Sequence, residues 1–96
     1  MATPTLTTTL HVPAVLRAAC GGARTLTLAG GTVRDAFAAL ERTHPDLYRS
    51  ICDETGAVRR HVGVFVNTTH VRDLAGLDTS LEPGDSIVVL PAVSGG

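Results

Sequence analysis

Two glycines, Gly95 and Gly96, end the chain and follow the small residues Ala92, Val93 and Ser94. At about 3.3–3.6 Å per residue, five extended residues span about 17 Å. Such a tail can bring a carboxylate from a folded domain into the active site of a partner. Glycine has no side chain, so a narrow channel can close around the main chain. A frayed terminus has the same composition, so the function of the tail depends on what the rest of the chain indicates.

The side chains that could do chemistry give weaker signals. Cys20 and Cys52 lie in predicted loops or turns with no motif around them, so we expect buried thiols. Asp85 is expected to accept hydrogen bonds from backbone groups of a turn. No two histidines have the i, i+4 spacing of a metal site, so no metal is predicted. The histidines are His11, His44, His61 and His70.

The composition excludes several classes of function. The chain has 96 residues, a length that suits one domain. Its net charge is −1, and with one Tyr and two Phe it has neither the basic stripe nor the aromatic platform of nucleic-acid-binding proteins. All eight basic residues are arginines, which excludes lysine-based catalysis. No apolar stretch approaches the ~20 residues that span a bilayer, and no signal peptide is recognised. We therefore expect a cytoplasmic protein that binds neither nucleic acid nor membrane.

The first part of the chain predicts a β-hairpin. Residues 5–12 alternate loosely between apolar and polar types, and residues 25–28 alternate cleanly. The glycine pair Gly21-Gly22 lies between the two runs and is a turn signal. We therefore predict two strands joined by a longish loop.

A helix is predicted after the hairpin. Thr32, with Asp35 three residues later, is typical of a helix start. Apolar residues then recur at i, i+4 and i+7, which predicts one buried face made by Val33, Phe37 and Leu40. The helix is expected to end at His44-Pro45, because a residue before proline avoids the α region. A short helical turn is predicted next, with Leu47, Tyr48 and Ile51.

Three more strands are predicted in the second half. Residues 61–67 form a strong strand run, and residues 71–72 a short return strand. The sequence at 82–85 predicts a type II turn, with Pro at its second position and Gly at its third. Residues 86–90 are almost all apolar, which predicts a central strand buried on both faces. Pro91 is expected to end it.

This order of elements predicts an α+β fold of the β-grasp, ubiquitin-like type, with a mixed sheet and one main helix packed on one face. The predicted domain comprises residues 1–91, and residues 92–96 form a flexible tail.

The predicted fold and the tail together resemble the ThiS/MoaD family of ubiquitin-like sulfur carrier proteins. The resemblance is carried by residues 90–96 (LPAVSGG), by residues 81–87 (LEPGDSI) and by residues 64–67 (VFVN), and it covers most of the chain. The segment 12–17 (VPAVLR) also resembles the carrier that actinobacteria use in cysteine biosynthesis.

The resemblance implies a mechanism centred on Gly96. In this family a partner that resembles ubiquitin-activating enzymes adenylates the terminal carboxylate with ATP and Mg²⁺. A sulfur donor or sulfurtransferase then converts the adenylate into a thiocarboxylate, which gives its sulfur to an acceptor held by a synthase. Gly95, Ser94, Val93 and Ala92 would enter the channel of the partner. The chain itself would bind no cofactor and would act as a co-substrate and not as an enzyme.

A docking surface on the sheet is also implied by the resemblance. The candidate residues are Phe65, Val64, Arg60 and Arg72. For Phe65 the favoured interpretation is packing in the core, and the two arginines are equally typical of a solvated surface.

Three alternatives remain open at this point. The chain is also compatible with the small subunit of molybdopterin synthase, with a protein modifier that forms isopeptide bonds to lysine, and with a β-grasp binding module whose tail is inert. In the favoured interpretation the sulfur goes to cysteine or to a related thio-metabolite.

Overall fold

The computed structural model describes residues 7–91. Short 3-10 helices at Ala14–Cys20, Val71–Asp73 and Gly76–Asp78 connect the main elements of this part of the chain. The main elements are β1 (Thr7–His11), β2 (Thr25–Ala29), α1 (Val33–Thr43), α2 (Pro45–Ile51), β3 (Val62–Val66), β4 (Thr69–His70) and β5 (Ser86–Pro91).

The five strands form one mixed sheet in the order β2-β1-β5-β3-β4. β1 pairs with β2 in antiparallel fashion, which confirms the predicted hairpin. β1 pairs with β5 in parallel, and β3 is antiparallel to both β5 and β4. β5 is therefore at the centre of the sheet, as the apolar run at 86–90 predicted.

The core lies between the helices and one face of the sheet, which is called the inner face below. Alternate strand residues point to this face, as the period of two in a strand requires. Val33, Phe37 and Leu40 of α1 pack in the same cluster, so the predicted helix face is confirmed. The most buried inner-face residues are Leu10, Leu28, Val64, Ile87 and Val89.

The helix boundaries follow from local hydrogen bonds. The Thr32 hydroxyl accepts a bond from the Asp35 N–H at 3.1 Å, which satisfies one of the free donors at the start of α1. The His44 N–H donates to the Leu40 oxygen at 2.7 Å where α1 ends. Pro45 then begins α2, a position where its missing N–H is not needed. α2 extends to Ile51 and is longer than the predicted helical turn.

The loop of the first hairpin contains an element that the prediction lacks. The 3-10 helix Ala14–Cys20 begins after Pro13 and ends at Gly21, whose φ of 72° is in the left-handed region. The predicted turn at Gly21-Gly22 is therefore the C-terminal cap of this helix. The cap is closed by a bond of 2.7 Å from the Gly22 N–H to the Arg17 oxygen.

The predicted return strand is displaced by two residues. The prediction placed it at Val71-Arg72, whereas β4 is Thr69–His70 and Val71–Asp73 is a 3-10 helix. β4 begins earlier than predicted because Asn67 takes a φ of 56°, a left-handed conformation that asparagine tolerates. The strand therefore returns immediately, and Val71 points into the core.

The central strand β5 is buried on one face and not on both. Ile87 and Val89 are buried, Val88 is half-buried and Leu90 is 47% exposed. The prediction of two buried faces was wrong because the helices cover only the inner face. The strand also includes Pro91, which pairs with Val62 of β3, so it does not end before the proline.

Candidate functional site

The face of the sheet opposite the helices, the outer face, carries an apolar area next to the end of β5. The register of β5 and β3 places Val88 opposite Phe65 and Leu90 opposite Gly63. Phe65 in turn meets His70 of β4, with ring centroids 4.9 Å apart and an interplanar angle of 67°. These residues therefore form one continuous surface, which we call the apolar patch: Gly63, Phe65, His70, Val88 and Leu90.

The expected core position of Phe65 was wrong. Phe65 is half-buried and lies on the outer face, whereas its neighbour Val64 is fully buried. Val64 is therefore withdrawn as a surface candidate, because no partner can reach it. Every residue of β3 is nonpolar, so the sequence does not say which alternate set points inward.

Arg60 and Arg72 lie beside the apolar patch. Both are exposed, and both line the same groove of about 350 Å³. The groove therefore brings together the three remaining candidates within the described residues. It is lined by Arg60, Val62, Gly63, Phe65, His70, Arg72, Leu90 and Pro91.

The groove adjoins the segment from which the tail continues. Pro91 is the last residue of β5 and lines the groove. The predicted tail residues Ala92, Val93, Ser94, Gly95 and Gly96 lie outside the described residues, and so does the start of the chain up to Leu6. The structure thus shows the surface beside the tail and not the tail itself.

Sequence reasoning missed four members of the apolar patch: Gly63, His70, Val88 and Leu90. Val88 and Leu90 were assigned to a strand buried on both faces, and His70 was considered only as a metal ligand. Their proximity depends on strand register, which brings β3, β4 and β5 side by side. No sequence signal identified them, because the exposure of Leu90 depends on which face of the sheet the helices cover.

Asp85 fixes the start of β5, as predicted. Its carboxylate accepts bonds from the Glu82 N–H at 2.9 Å and from the Asn67 amide at 3.1 Å. These bonds favour the charged form and hold the pKa of Asp85 below its usual range. Gly84 in the same turn has a φ of 89°, the left-handed conformation that the predicted turn type requires.

Both cysteines are buried and free, as predicted. Burial raises the pKa of the Cys52 thiol to about 11, so it stays protonated at neutral pH. A protonated thiol is a poor nucleophile. Cys20 Sγ lies 3.4 Å from the Arg17 backbone oxygen, as expected of a structural thiol at a helix end.

A second cavity of about 450 Å³ lies between α2 and the loop that follows it. Its polar groups are mostly engaged with neighbouring residues. The Asp53 carboxylate accepts bonds from the Thr55 hydroxyl and N–H, which lower its pKa. The Arg59 Nε donates to the Arg49 oxygen at 2.8 Å. The loop geometry explains these contacts without a ligand.

Residues 7–91 contain neither a metal-ligand cluster nor a membrane-spanning helix. No group of three or more His, Cys, Asp and Glu side chains in that range is arranged to hold a metal ion. No helix in it is long and apolar enough to cross a membrane.

Comparisons with known proteins give consistent results. A family model described as the ThiS family matches residues 10–96. The sulfur carrier protein CysO of Mycobacterium tuberculosis is 33% identical over 90 residues, which cover 92% of this chain and 97% of that protein. Among solved structures, a chain of the BexX/CysO complex of Amycolatopsis orientalis matches with a TM-score of 0.83 and 31% identity, over 93% of this chain and 99% of that one.

The solution structure of small archaeal modifier protein 1 from Methanosarcina acetivorans is also similar. It has a TM-score of 0.80 and 31% identity, and it covers 98% of this chain and 100% of that one. These similarities to ubiquitin-like proteins confirm the β-grasp fold that the order of elements predicted.

Proposed function

Because the chain belongs to the ThiS family, we propose that it is a sulfur carrier protein whose reactive group is the carboxylate of Gly96. The observation that carries the proposal is the family match over residues 10–96, which includes the diglycine. The identity to a sulfur carrier over almost the whole of both chains supports it.

The proposed reaction takes place in two steps at Gly96. A carboxylate is a poor electrophile, so an adenylating partner first joins it to the AMP part of ATP and releases pyrophosphate. Sulfide or a persulfide then attacks the acyl carbon, the new C–S bond forms and AMP leaves; with a persulfide, a reductant must also cleave the S–S bond. The product is a thiocarboxylate, whose sulfur is the nucleophile in the next reaction. ATP and Mg²⁺ are bound by the partner in this scheme.

This chain contributes position and not acid–base chemistry. The tail continues from β5, the central strand, whose last residues Leu90 and Pro91 pair with β3, while its pairing with β1 ends at Val88. A docked carrier holds its thiocarboxylate close to the acceptor and so raises the effective concentration of the sulfur. The buried, protonated Cys52 is unsuited to act as a second sulfur carrier. These features support a co-substrate role and not an enzyme.

The apolar patch and its two arginines are the proposed docking surface. Phe65 and Leu90 present apolar area to solvent directly beside the root of the tail. Aromatic and arginine side chains are the residue types that most often dominate binding energy at interfaces. A partner that contacts Phe65, Arg60 and Arg72 would be placed to receive the tail.

The destination of the sulfur is proposed to be cysteine or a related thio-metabolite, and the partners are an adenylating protein, a sulfur donor and an acceptor synthase. The similarity to a small archaeal modifier protein favours protein modification as a second candidate function. Both candidates share the adenylation of Gly96 and differ in whether sulfur or a lysine amine attacks it. The subunit of molybdopterin synthase stays an alternative prediction.

The deciding experiment is mass spectrometry of the full chain after incubation with an adenylating protein of the ubiquitin-activating type, ATP and sulfide. We expect one oxygen to be replaced by sulfur, only when ATP is present. Fragmentation must locate the change at Gly96, because oxidation of Met1, Cys20 or Cys52 gives nearly the same mass. A chain that lacks Gly95 and Gly96 is the negative control.

The outcomes separate the candidates. A thiocarboxylate at Gly96 supports the carrier, and isopeptide bonds to lysines of added proteins support the modifier. If Gly96 stays a carboxylate with several such enzymes and no AMP forms, sulfur carriage is wrong. A binding module with an inert tail then replaces it.

A further inference from the structure

The outer edge of β2 is an unpaired strand edge within the described residues. β2 is the first strand of the sheet order and pairs only with β1. Its sequence, TLTLA, has no charge, no proline and no glycine. Proteins usually protect edge strands with such residues or by covering them, because a bare edge pairs readily with another strand.

The hydrogen-bond pattern shows which groups this edge offers. The Val12 N–H donates to the Arg24 oxygen at 2.8 Å, so this pair is hydrogen-bonded across β1 and β2. Bonded and non-bonded pairs alternate along an antiparallel ladder. It follows that Leu26 and Leu28 bond to β1, whereas the N–H and C=O groups of the alternate residues point away from it. Those residues are Thr25, Thr27 and Ala29.

This edge is complementary to itself. If two copies meet in antiparallel fashion with Thr27 opposite Thr27, each threonine exchanges both bonds with its counterpart. In the same register Thr25 meets Ala29 of the second copy, and both also have outward groups. Leu26, which is only half-buried, meets Leu28 of the second copy and is covered.

The same register also brings opposite charges together. Arg24 faces Gly30 of the second copy, at the ~5 Å separation of Cβ positions in a cross-strand pair. A Cβ placed at Gly30 would lie 2.8 Å from the Cβ of Asp35. The Asp35 Cβ therefore lies beside the position that Arg24 of the second copy faces, within reach of the long arginine side chain. The two-fold axis forms this contact twice.

Arg24 and Asp35 are both free to make this contact between the copies. Both are exposed. Within residues 7–91 the ion pairs of the monomer are Arg34–Asp78 and the Asp46–Arg49 pair, so neither Arg24 nor Asp35 takes part in one. From this edge geometry and charge pattern we propose that the β2 edge is a self-association site, at which two copies form a symmetric dimer with one continuous sheet.

The dimer leaves the proposed docking surface free. β3 is three strands away from β2, about 14 Å at the usual strand spacing of about 4.8 Å. The two-fold axis also directs the ends of the two β5 strands in opposite directions. The dimer would therefore present two apolar patches and two tails, each open to a partner of its own.

A single pair of strands buries little surface, so the dimer is expected to be weak. Interfaces well under 1,200 Å² belong to transient complexes. We therefore expect a dissociation constant between about 0.1 mM and about 1 mM.

Sedimentation equilibrium of the full chain up to about 1 mM tests the proposal. We expect a reversible monomer–dimer equilibrium that Thr27→Pro abolishes, because proline removes an edge N–H that the monomer does not use. Arg24→Glu should raise the dissociation constant by roughly tenfold through two repelling contacts. The double variant Arg24→Glu/Asp35→Arg should restore association. Arg60→Glu, a matched reversal on the far side of the sheet, should leave it unchanged.

Three results would overturn the proposal: a wild-type chain that stays monomeric at about 1 mM, a dimer that Arg24→Glu does not weaken, or a double variant that does not recover. If Thr27→Pro fails to fold, the variants Arg24→Glu and Arg24→Glu/Asp35→Arg still decide the question. Circular dichroism of each variant identifies that case.

Discussion

The two faces of the sheet are built from alternate residues of the same strands, yet they have different environments. On the inner face Val64 and Ile87 are completely buried under the helices. On the outer face their chain neighbours Phe65 and Val88 are only half-buried. A shift of one residue in either strand would exchange the two sets. The residues that hold the fold and those of the proposed docking surface therefore alternate along the same strands.

The difference between the two faces indicates which apolar residues are free to bind a partner. The inner face uses nearly all of its apolar area to hold the helices. The outer face has its apolar area only on β3, β4 and β5, while β1 and β2 present polar residues there: Thr7, Thr9, His11, Thr25 and Thr27. The asymmetry within the outer face is the reason for choosing the apolar patch as the proposed docking surface.

The largest expected effect is on the inner face. Ile87→Ala should lower the free energy of unfolding by about 2–5 kcal/mol, because it leaves a cavity in a packed core. Val88→Ala, the next residue on the outer face, should cost less than about 1 kcal/mol. Urea unfolding of the two variants measures the difference. Equal losses would mean that the two faces are not distinct.

The second effect is on partner binding. Phe65→Ala should weaken binding to the adenylating partner by about 2 kcal/mol, roughly 30-fold, as truncation of a central aromatic anchor does. Thr9→Ala, on the polar part of the outer face, is the matched control and should bind as the wild type does. Titration calorimetry distinguishes them. If Phe65→Ala binds normally, the partner uses another surface.

The third effect concerns the turn at 82–85, which determines which residues of β5 point to the inner face. Asp85→Ala should destabilise the protein by about 1 kcal/mol, because bonds from Glu82 and Asn67 are lost. The folded pKa of Asp85 is lowered, so its contribution is complete above the unfolded value of about 3.9. It is lost as the pH falls through the lower folded pKa.

The measurement for this variant is urea unfolding as a function of pH. The difference in the free energy of unfolding between the wild type and Asp85→Ala should be constant near neutral pH. It should shrink in acid, as the pH falls below the unfolded pKa of about 3.9. A difference that grows in acid would contradict the role assigned to the carboxylate.

The smallest effect concerns Gly63, which gives the ring of Phe65 its space. A Cβ at Gly63 would lie 3.3 Å from Cε1 of Phe65 and 3.7 Å from Nε2 of His70. Gly63→Ala should therefore shift the ring by a few tenths of an ångström and change stability by no more than about 0.5 kcal/mol. Partner binding should fall severalfold. A loss of stability as large as that of Ile87→Ala would place Gly63 in the core instead.

Much of the fold was predictable because several local signals agreed. The cap at Thr32, the apolar spacing of α1 and the proline after His44 all defined the same helix, which the structure confirms. The turn before β5 was also specific, since proline and glycine occupy the positions that a type II turn requires. The family resemblance came from the same turn and from the tail, and the family match confirms it.

The rest was not predictable because it depends on tertiary contacts. The nonpolar run of β3 has no polar residue to mark its outer face, so Phe65 was assigned to the core and Val64 to the surface. The 3-10 helix Ala14–Cys20 was missed although Leu16 and Cys20 have helical spacing, because the glycine pair favoured a plain loop. Of the candidate site, Arg60, Phe65 and Arg72 share one groove, whereas the roles of Gly95 and Gly96 stay predictions.

The parallel pairing of β1 with β5 joins the two ends of the described chain. The Thr8 hydroxyl donates to the Asp85 oxygen at 2.6 Å across 77 positions of sequence. During synthesis the N-terminal strands emerge first, and such long-range pairings form slowly. The sheet lacks its central strand until β5 is made, so we expect a chain interrupted before that point to stay unfolded and open to proteolysis. The chains that fold would then be those that extend to the root of the tail.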